Sequence, residues 1–438
     1  MSTVTTTTSW GSRVGSSFKG MLTGLILVVG AVCVLFWNEG RTIKRTKALE
    51  EAGKTAVSVD PQTLDPANED KLIHISGDVK TDDVLSDPAF NISLNALVLQ
   101  RTVTMYQWQE NTETSTSRTS GGGQETTTTY SYSKVWSDEL IDSSSFHDSG
   151  YDNPKSMPYE SKTFLAPNAT LGAFALSKNQ VENLGPSMEY NVNAPAVEKN
   201  AEQQAPAPSD GGSAYRSADV NEEFAQDFSV STSDGAGSLN VSVDSNVENV
   251  VVPANASSLD SRLQTYGSGY CIGDPSNPQI GDVRIVFSYV ATPCPTSFVA
   301  QQHGKSLVQY QAKTGEVLLQ AEGIQTLEEM IAAAQQSNKM IAWIIRAVGL
   351  IVIFFGIKAL CAPLETLVDI IPFAGAIVGF GTGIVAFCGT LFLGLGAISI
   401  GWIYYRPLIG IPLLIVAVAA LFYPMIRGKK KAKEAPVT

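Results

Sequence analysis

MLTGLILVVGAVCVLFWNEGR, residues 21 to 41, decides the fold. The apolar run from Met21 to Trp37, extended by Phe18 and Gly20, reaches the roughly 20 residues that cross a hydrocarbon core. A cleavable export signal closes on small residues, whereas this run closes on Phe36, Trp37, Asn38 and Glu39, the aromatic exit of a retained anchor. Asn38, Glu39, Gly40 and Arg41 then read as an interfacial helix end, with Gly40 as the stop and Glu39 and Arg41 at headgroup depth.

Outward from that run the 438 residues segregate sharply. Between 341 and 426 the only charges are Arg346, Lys358, Glu365, Asp369 and Arg406, while between 48 and 340 there are 16 Lys and Arg against 38 Asp and Glu. One part faces lipid and the other faces water. A domain so acidic is a poor partner for phosphate backbones, so nucleic acid is excluded.

The apolar pattern predicts a multipass α-helical membrane protein with four spans, one N-terminal and three C-terminal, carrying a large strand-rich α+β extramembrane domain. A polar tail covers 1–19 and the first span 20–37. The extracytoplasmic domain covers 38–325. A helix over 326–340, opened by a Thr326/Glu329 capping box, runs on into a second span at 341–361. An interfacial or re-entrant segment over 364–376 precedes a third span at 378–402, and a fourth at 407–426 leads to a basic tail at 427–438. Gly375, Gly379 and Gly383 form a small-residue ladder expected to pack against another helix. The span-end charges Arg346, Glu365, Asp369 and Arg406 are expected near the headgroups, with Arg346 and Lys358 snorkelling.

Two charge cues disagree on orientation. The basic tail, RGKKKAK at 427–433, places the C-terminus in the cytoplasm, whereas Arg41, Lys44, Arg45 and Lys47 after the first span argue the reverse. The tail is preferred because it ends a compact three-span unit, which makes the large domain extracytoplasmic or lumenal. Cys271 and Cys294 are the only cysteines in that domain and form a disulfide candidate in an oxidising compartment.

Within the domain, LIHISGDVK from Leu72 and GDVRIVFSYV from Gly281 alternate as strands. The Thr, Ser and Gly tract 111–129 reads as a hairpin tip. Tyr130, Tyr132 and Trp136 form a period-two stripe expected in the core, and 192–260 reads as a flexible polar insertion. The three histidines, His74, His147 and His303, show no ligand spacing, and HGKS at 303–306 lacks the first glycine of a phosphate loop. No catalytic, cofactor or metal residue is expected.

Taken in order, NEGR (38–41), LIHISG (72–77), LSDP (85–88), MYQW (105–108), NPKSM (153–157), GDVRIVFSY (281–289), TLVD (366–369), AFC (386–388) and WIYYRP (402–407) resemble the transmembrane protein 43, or LUMA, family across nearly the whole chain. The resemblance implies one N-terminal span, a large lumenal domain and three C-terminal spans. It also implies a membrane organiser that helps assemble protein complexes, placed in animals at the endoplasmic reticulum and inner nuclear envelope, with no established catalytic residues. The Ala, Gln and Thr-rich tracts suit a bacterial member, for which the cell membrane is the expected site. The expected function is therefore a non-enzymatic scaffold touching the lipid bilayer, other membrane proteins and further copies of itself. The alternatives are a channel or transporter component built on Arg346, Glu365 and Asp369, and a membrane-surface enzyme built on His74.

Overall fold

The computed structural model describes the chain except residues 120, 186, 194–258, 372–373, 406–407, 409–410, 413 and 420–438. The expected insertion, the basic tail and Arg406 therefore fall wholly or almost wholly outside the described residues, as does most of the expected fourth span. Among the described residues three helices are long and apolar enough to cross a membrane, with spans placed in Trp10–Thr55, Leu327–Val368 and Ile377–Ile403.

The first helix, α1 (Trp10–Thr55), is capped by Ser9, whose side chain accepts from the Ser12 N–H. Its 46 residues make a rod of roughly 70 Å, about twice the thickness of a hydrocarbon core. The expected stop at Gly40 is corrected: the helix runs through it. A helical glycine costs about 1 kcal/mol, too little to outweigh packing along both flanks. The expected polar tail is corrected too, since Ser2–Thr8 is a strand and the helix starts at Trp10.

After a short helix, α2 (Lys178–Glu182), the third, α3 (Leu327–Val368), opens on the capping box, with Thr326 and Glu329 each satisfying the other's backbone N–H. It continues past Pro363, so Leu364–Val368 is its last turn rather than a re-entrant segment. A turn through Asp369 leads to α4 (Ala374–Tyr405).

Helices α1 and α3 lie antiparallel in the most extensive contact of the fold. Glycines permit it: a Cβ on Gly24 would fall 2.6 Å from the Gly356 carbonyl oxygen, and one on Gly349 2.6 Å from Leu35. The predicted ladder does not do this. Gly375 sits against Asp369, Gly379 offers its carbonyl to Lys358, and Gly383 has nothing within 4 Å of a would-be Cβ. Small residues therefore mark the seam, but those of α1 and α3 make it.

The domain holds two large sheets. One is eight-stranded, ordered Ser2–Thr8, Gln124–Ser137, Val98–Arg118, Val283–Val290, Gly269–Ile272, Gln264–Tyr266, with Met188–Tyr190 and Lys162–Leu165 added. The other is seven-stranded; pairing of Cys294–His303 with both Leu72–Lys80 and Ser306–Val308 closes part of it into a ring. Val283, Ile285 and Phe287 alternate into the shared core beside Phe90, Leu99 and Phe298. A second cluster joins Ala48, Leu49 and Ala52 of α1 and Met330 and Ile331 of α3 to Leu72, Val299 and Val317. The extramembrane ends of both helices are thus packed into the domain as a stalk.

The tract 111–129 is mostly ladder rather than loop: Val98–Arg118 and Gln124–Ser137 pair up to Arg118↔Gln124, and Ser2–Thr8 adds a third strand. At the tip of this arm Arg13 donates to the Gly122 carbonyl and to Asp369, which Arg118 also engages at 2.8 Å. The aromatic stripe is corrected from core to part-exposed stack, with Tyr130 on His147, Tyr132 on Tyr151 and Trp136 on Tyr106. Desolvation, and then its bond to Glu110, push the Tyr132 hydroxyl up to about 12.

Candidate functional site

Where three helices pass from bundle to stalk, Glu39 of α1 is 1% exposed and Arg346 of α3 is 8% exposed. The guanidinium grips the carboxylate with two bonds of 2.7 Å, Nε to Oε1 and Nη2 to Oε2. The Trp402 indole of α4 donates to Glu39 Oε2 at 2.5 Å. Arg346 lies 4.9 Å from the Trp343 ring centroid and 5.2 Å from that of Trp402. The two opposite charges neutralise one another, and two aromatic faces cover the cation. Arg346 therefore does not reach out to solvent, and Glu39 is buried against it rather than exposed.

Neighbouring amides extend the polar seam. Asn38 Nδ2 donates to the Ala342 carbonyl at 3.3 Å, and Asn338 Nδ2 donates to the Thr42 carbonyl at 3.0 Å. Gly401 lets α4 approach, since a Cβ there would meet Glu39 Cβ at 2.8 Å. Gly40 faces open space, and Arg41 reaches Asn38 Oδ1 only at 3.4 Å.

A second polar cluster lies towards the opposite end of the bundle. Lys358 Nζ contacts Glu365 at 2.5 Å, Thr382 Oγ1 at 3.0 Å and the Gly379 carbonyl at 3.3 Å, while Thr382 also donates to Glu365. Asp369 beyond it is paired with Arg13 and Arg118. Each predicted span-end charge in the described chain is therefore paired.

The disulfide expectation is corrected: Cys271 and Cys294 are both buried free thiols. Cys271 lies in the eight-stranded sheet opposite Arg284, whereas Cys294 opens a strand of the other sheet and donates to the Gly185 carbonyl. Burial is the first cause that pushes both thiols up. His74 is buried in its strand, with Ser58 at Nδ1 (3.0 Å) and the Gln325 carbonyl at Nε2 (2.9 Å). Among the described residues no carboxylate is bonded to it. At the exposed surface Glu69, Asp70 and His303 bring ligand atoms within 4.8 Å of one another.

Sequence reasoning missed Trp402 and Trp343 as ring partners and missed the Glu39–Arg346 pairing. The available signal was that an acid and an arginine beside apolar spans each require a counter-charge.

A profile of the family described as Transmembrane protein 43 matches residues 105–407, a stretch that takes in Arg346, Lys358, Glu365 and Trp402. Transmembrane protein 43 of Mus musculus is 30% identical over 408 residues, 90% of this chain and 87% of its own. That of Homo sapiens is 29% identical over 434 residues, covering 96% and 93%. A Drosophila melanogaster homolog is 27% identical over 406 residues, covering 90% and 91%. No solved structure matches the chain. On the extent of the profile match and of these alignments, the chain belongs to the transmembrane protein 43 family.

Proposed function

We propose that this membrane protein is a non-enzymatic scaffold that holds its large domain at a fixed height and angle above the bilayer and offers it to other membrane proteins or to further copies of itself. One observation carries the reading: α1 and α3 run unbroken from the bundle into the domain, with the Glu39–Arg346–Trp402 knot at the base and the Leu49–Met330–Val299 cluster above it. Such a stalk suits presentation. The Glu39–Arg346 and Lys358–Glu365–Thr382 clusters are each internally paired, which supports a structural role for those groups.

The same reading places a fourth span at 407–426, both termini in the cytoplasm and the domain on the extracytoplasmic or lumenal side. In a bacterial source the membrane is the cell membrane; in a eukaryotic one it is the endoplasmic reticulum or nuclear envelope. Crosslinking in native membranes followed by mass spectrometry tests the scaffold: defined neighbours or self-links are expected, and recovery solely as an unlinked monomer overturns it.

The Lys358–Glu365–Thr382 cluster between α3 and α4 favours a second reading as a channel or transporter component. Its charges neutralise one another, which favours packing over permeation. Ion flux in reconstituted vesicles that is abolished by Glu365→Gln would reverse that preference.

A further inference from the structure

A groove of about 920 Å³ opens where α1 leaves the bundle. Its lower wall is apolar, made by Phe36, Trp37 and Ile400, which are 54%, 60% and 58% exposed. Its upper wall is cationic, made by Arg41, Lys44 and Arg45, and the turn at Thr314–Gly315 roofs it. That turn is fixed to the helix, because Thr314 donates to the Lys44 carbonyl at 2.9 Å and Arg45 donates to the Glu316 carbonyl at 2.5 Å.

The spacing orders the groove by depth. Trp37, Arg41 and Arg45 recur every four residues, on one face and about 6 Å apart along the axis. The headgroup layer is roughly 5–8 Å thick on each side of the hydrocarbon. With the Trp37 ring at the hydrocarbon boundary, where tryptophan concentrates, Arg41 stands at phosphate depth and Arg45 at the outer margin.

Among the described residues none of Arg41, Lys44 and Arg45 forms an ion pair. Glu39, the acid of the same motif, is held by Arg346 and Trp402 instead. Arg41 Nε is buried without a hydrogen-bond partner among the described residues. Gly40 leaves space in the wall, since a Cβ there meets nothing within 4 Å, so helix packing does not demand it.

We propose that this groove binds one anionic phospholipid of the surrounding leaflet, with its phosphate on Arg41, Lys44 and Arg45 and its acyl chains against Phe36, Trp37 and Ile400. The inference is independent of the scaffold reading. It also gives three of the four basic residues after the first span, a pattern at odds with the charge of the C-terminal tail, a purpose other than orientation.

The test uses the full chain in phosphatidylcholine vesicles containing a minor fraction of spin-labelled phosphatidylglycerol or, separately, spin-labelled phosphatidylcholine. The motionally restricted fraction reads relative association. A preference for phosphatidylglycerol of at least roughly fivefold is expected, since a basic residue near the surface contributes about 1 kcal/mol. Arg41→Ala, Lys44→Ala and Arg45→Ala together should abolish it. Gly40→Leu, which keeps every charge and fills the groove, should also abolish it, with an unchanged circular-dichroism spectrum showing that the variant is folded. Equal association of the two lipids, or full preference in Gly40→Leu, overturns the proposal. So does displacement of the phosphatidylglycerol by inorganic phosphate at millimolar concentration, which would mark a free-phosphate site.

Discussion

Removing one partner of the Glu39–Arg346 knot should destabilise the bundle far more than removing both. Arg346→Ala deletes two charge-assisted bonds of 2.7 Å and leaves a carboxylate that is 1% exposed with the Trp402 N–H as its remaining bonded donor. Breaking a buried pair from one side costs about 3–5 kcal/mol. At about 1.4 kcal/mol per factor of ten, the unfolding equilibrium moves by roughly two to three and a half orders of magnitude. Glu39→Leu should cost a similar amount, because Arg346 keeps its charge and only the aromatic faces. The double replacement Glu39→Leu with Arg346→Met removes both desolvated charges and should lie within about 1 kcal/mol of the parent, recovering nearly all of the summed loss. Detergent-titrated unfolding of the full chain in mixed micelles, followed by far-ultraviolet circular dichroism, measures all four proteins. Single variants within about 1 kcal/mol of the parent, with additive effects, would show a solvent-screened pair and refute the reasoning.

Three further outcomes follow from other parts of the structure. Under denaturing, non-reducing conditions an alkylating reagent should modify both Cys271 and Cys294, whereas in the folded protein both should react slowly; a linked peptide pair in the mass spectrum would contradict the free thiols. Gly349→Leu should destabilise the bundle by about 1–3 kcal/mol through its collision with Leu35, while Gly383→Ala should stay within about 0.5 kcal/mol of the parent in the same assay. Thr5 and Thr127 are register partners, so cysteines at both positions should crosslink in detergent. In sealed vesicles they should not, because an α1 that crosses the bilayer puts Ser2–Thr8 and the domain on opposite faces; efficient crosslinking there would refute a spanning α1.

Three of the four expected spans and the late strand are legible because a single local pattern carries each, as in the apolar length of 21–37, the Thr326/Glu329 cap, and the alternation of Val283, Ile285 and Phe287. The knot was not, because Glu39 and Arg346 stand 307 residues apart and only the antiparallel contact of α1 and α3 brings them together. Glycine content signalled close packing without saying which glycines face a neighbour, so Gly24 and Gly349 were missed while Gly383 was favoured. The cysteine pair misled for a related reason: separation along the chain is silent about which sheet receives each residue. The strand at Ser2–Thr8 has hydroxyl side chains throughout except Val4, so no hydrophobic alternation announced it.

The arm tip that joins Arg118 to Arg13 and Asp369 bears on the order of events at the ribosome. Ser2–Thr8 is synthesised before its partner strand, Gln124–Ser137, which emerges more than a hundred residues later. In that interval α1 is complete and free to enter a bilayer. Once it has crossed, a ladder of polar edges cannot follow it through hydrocarbon, where every backbone group must be satisfied within a closed structure. Arm closure and membrane entry are therefore rivals in time, and translation gives membrane entry the head start.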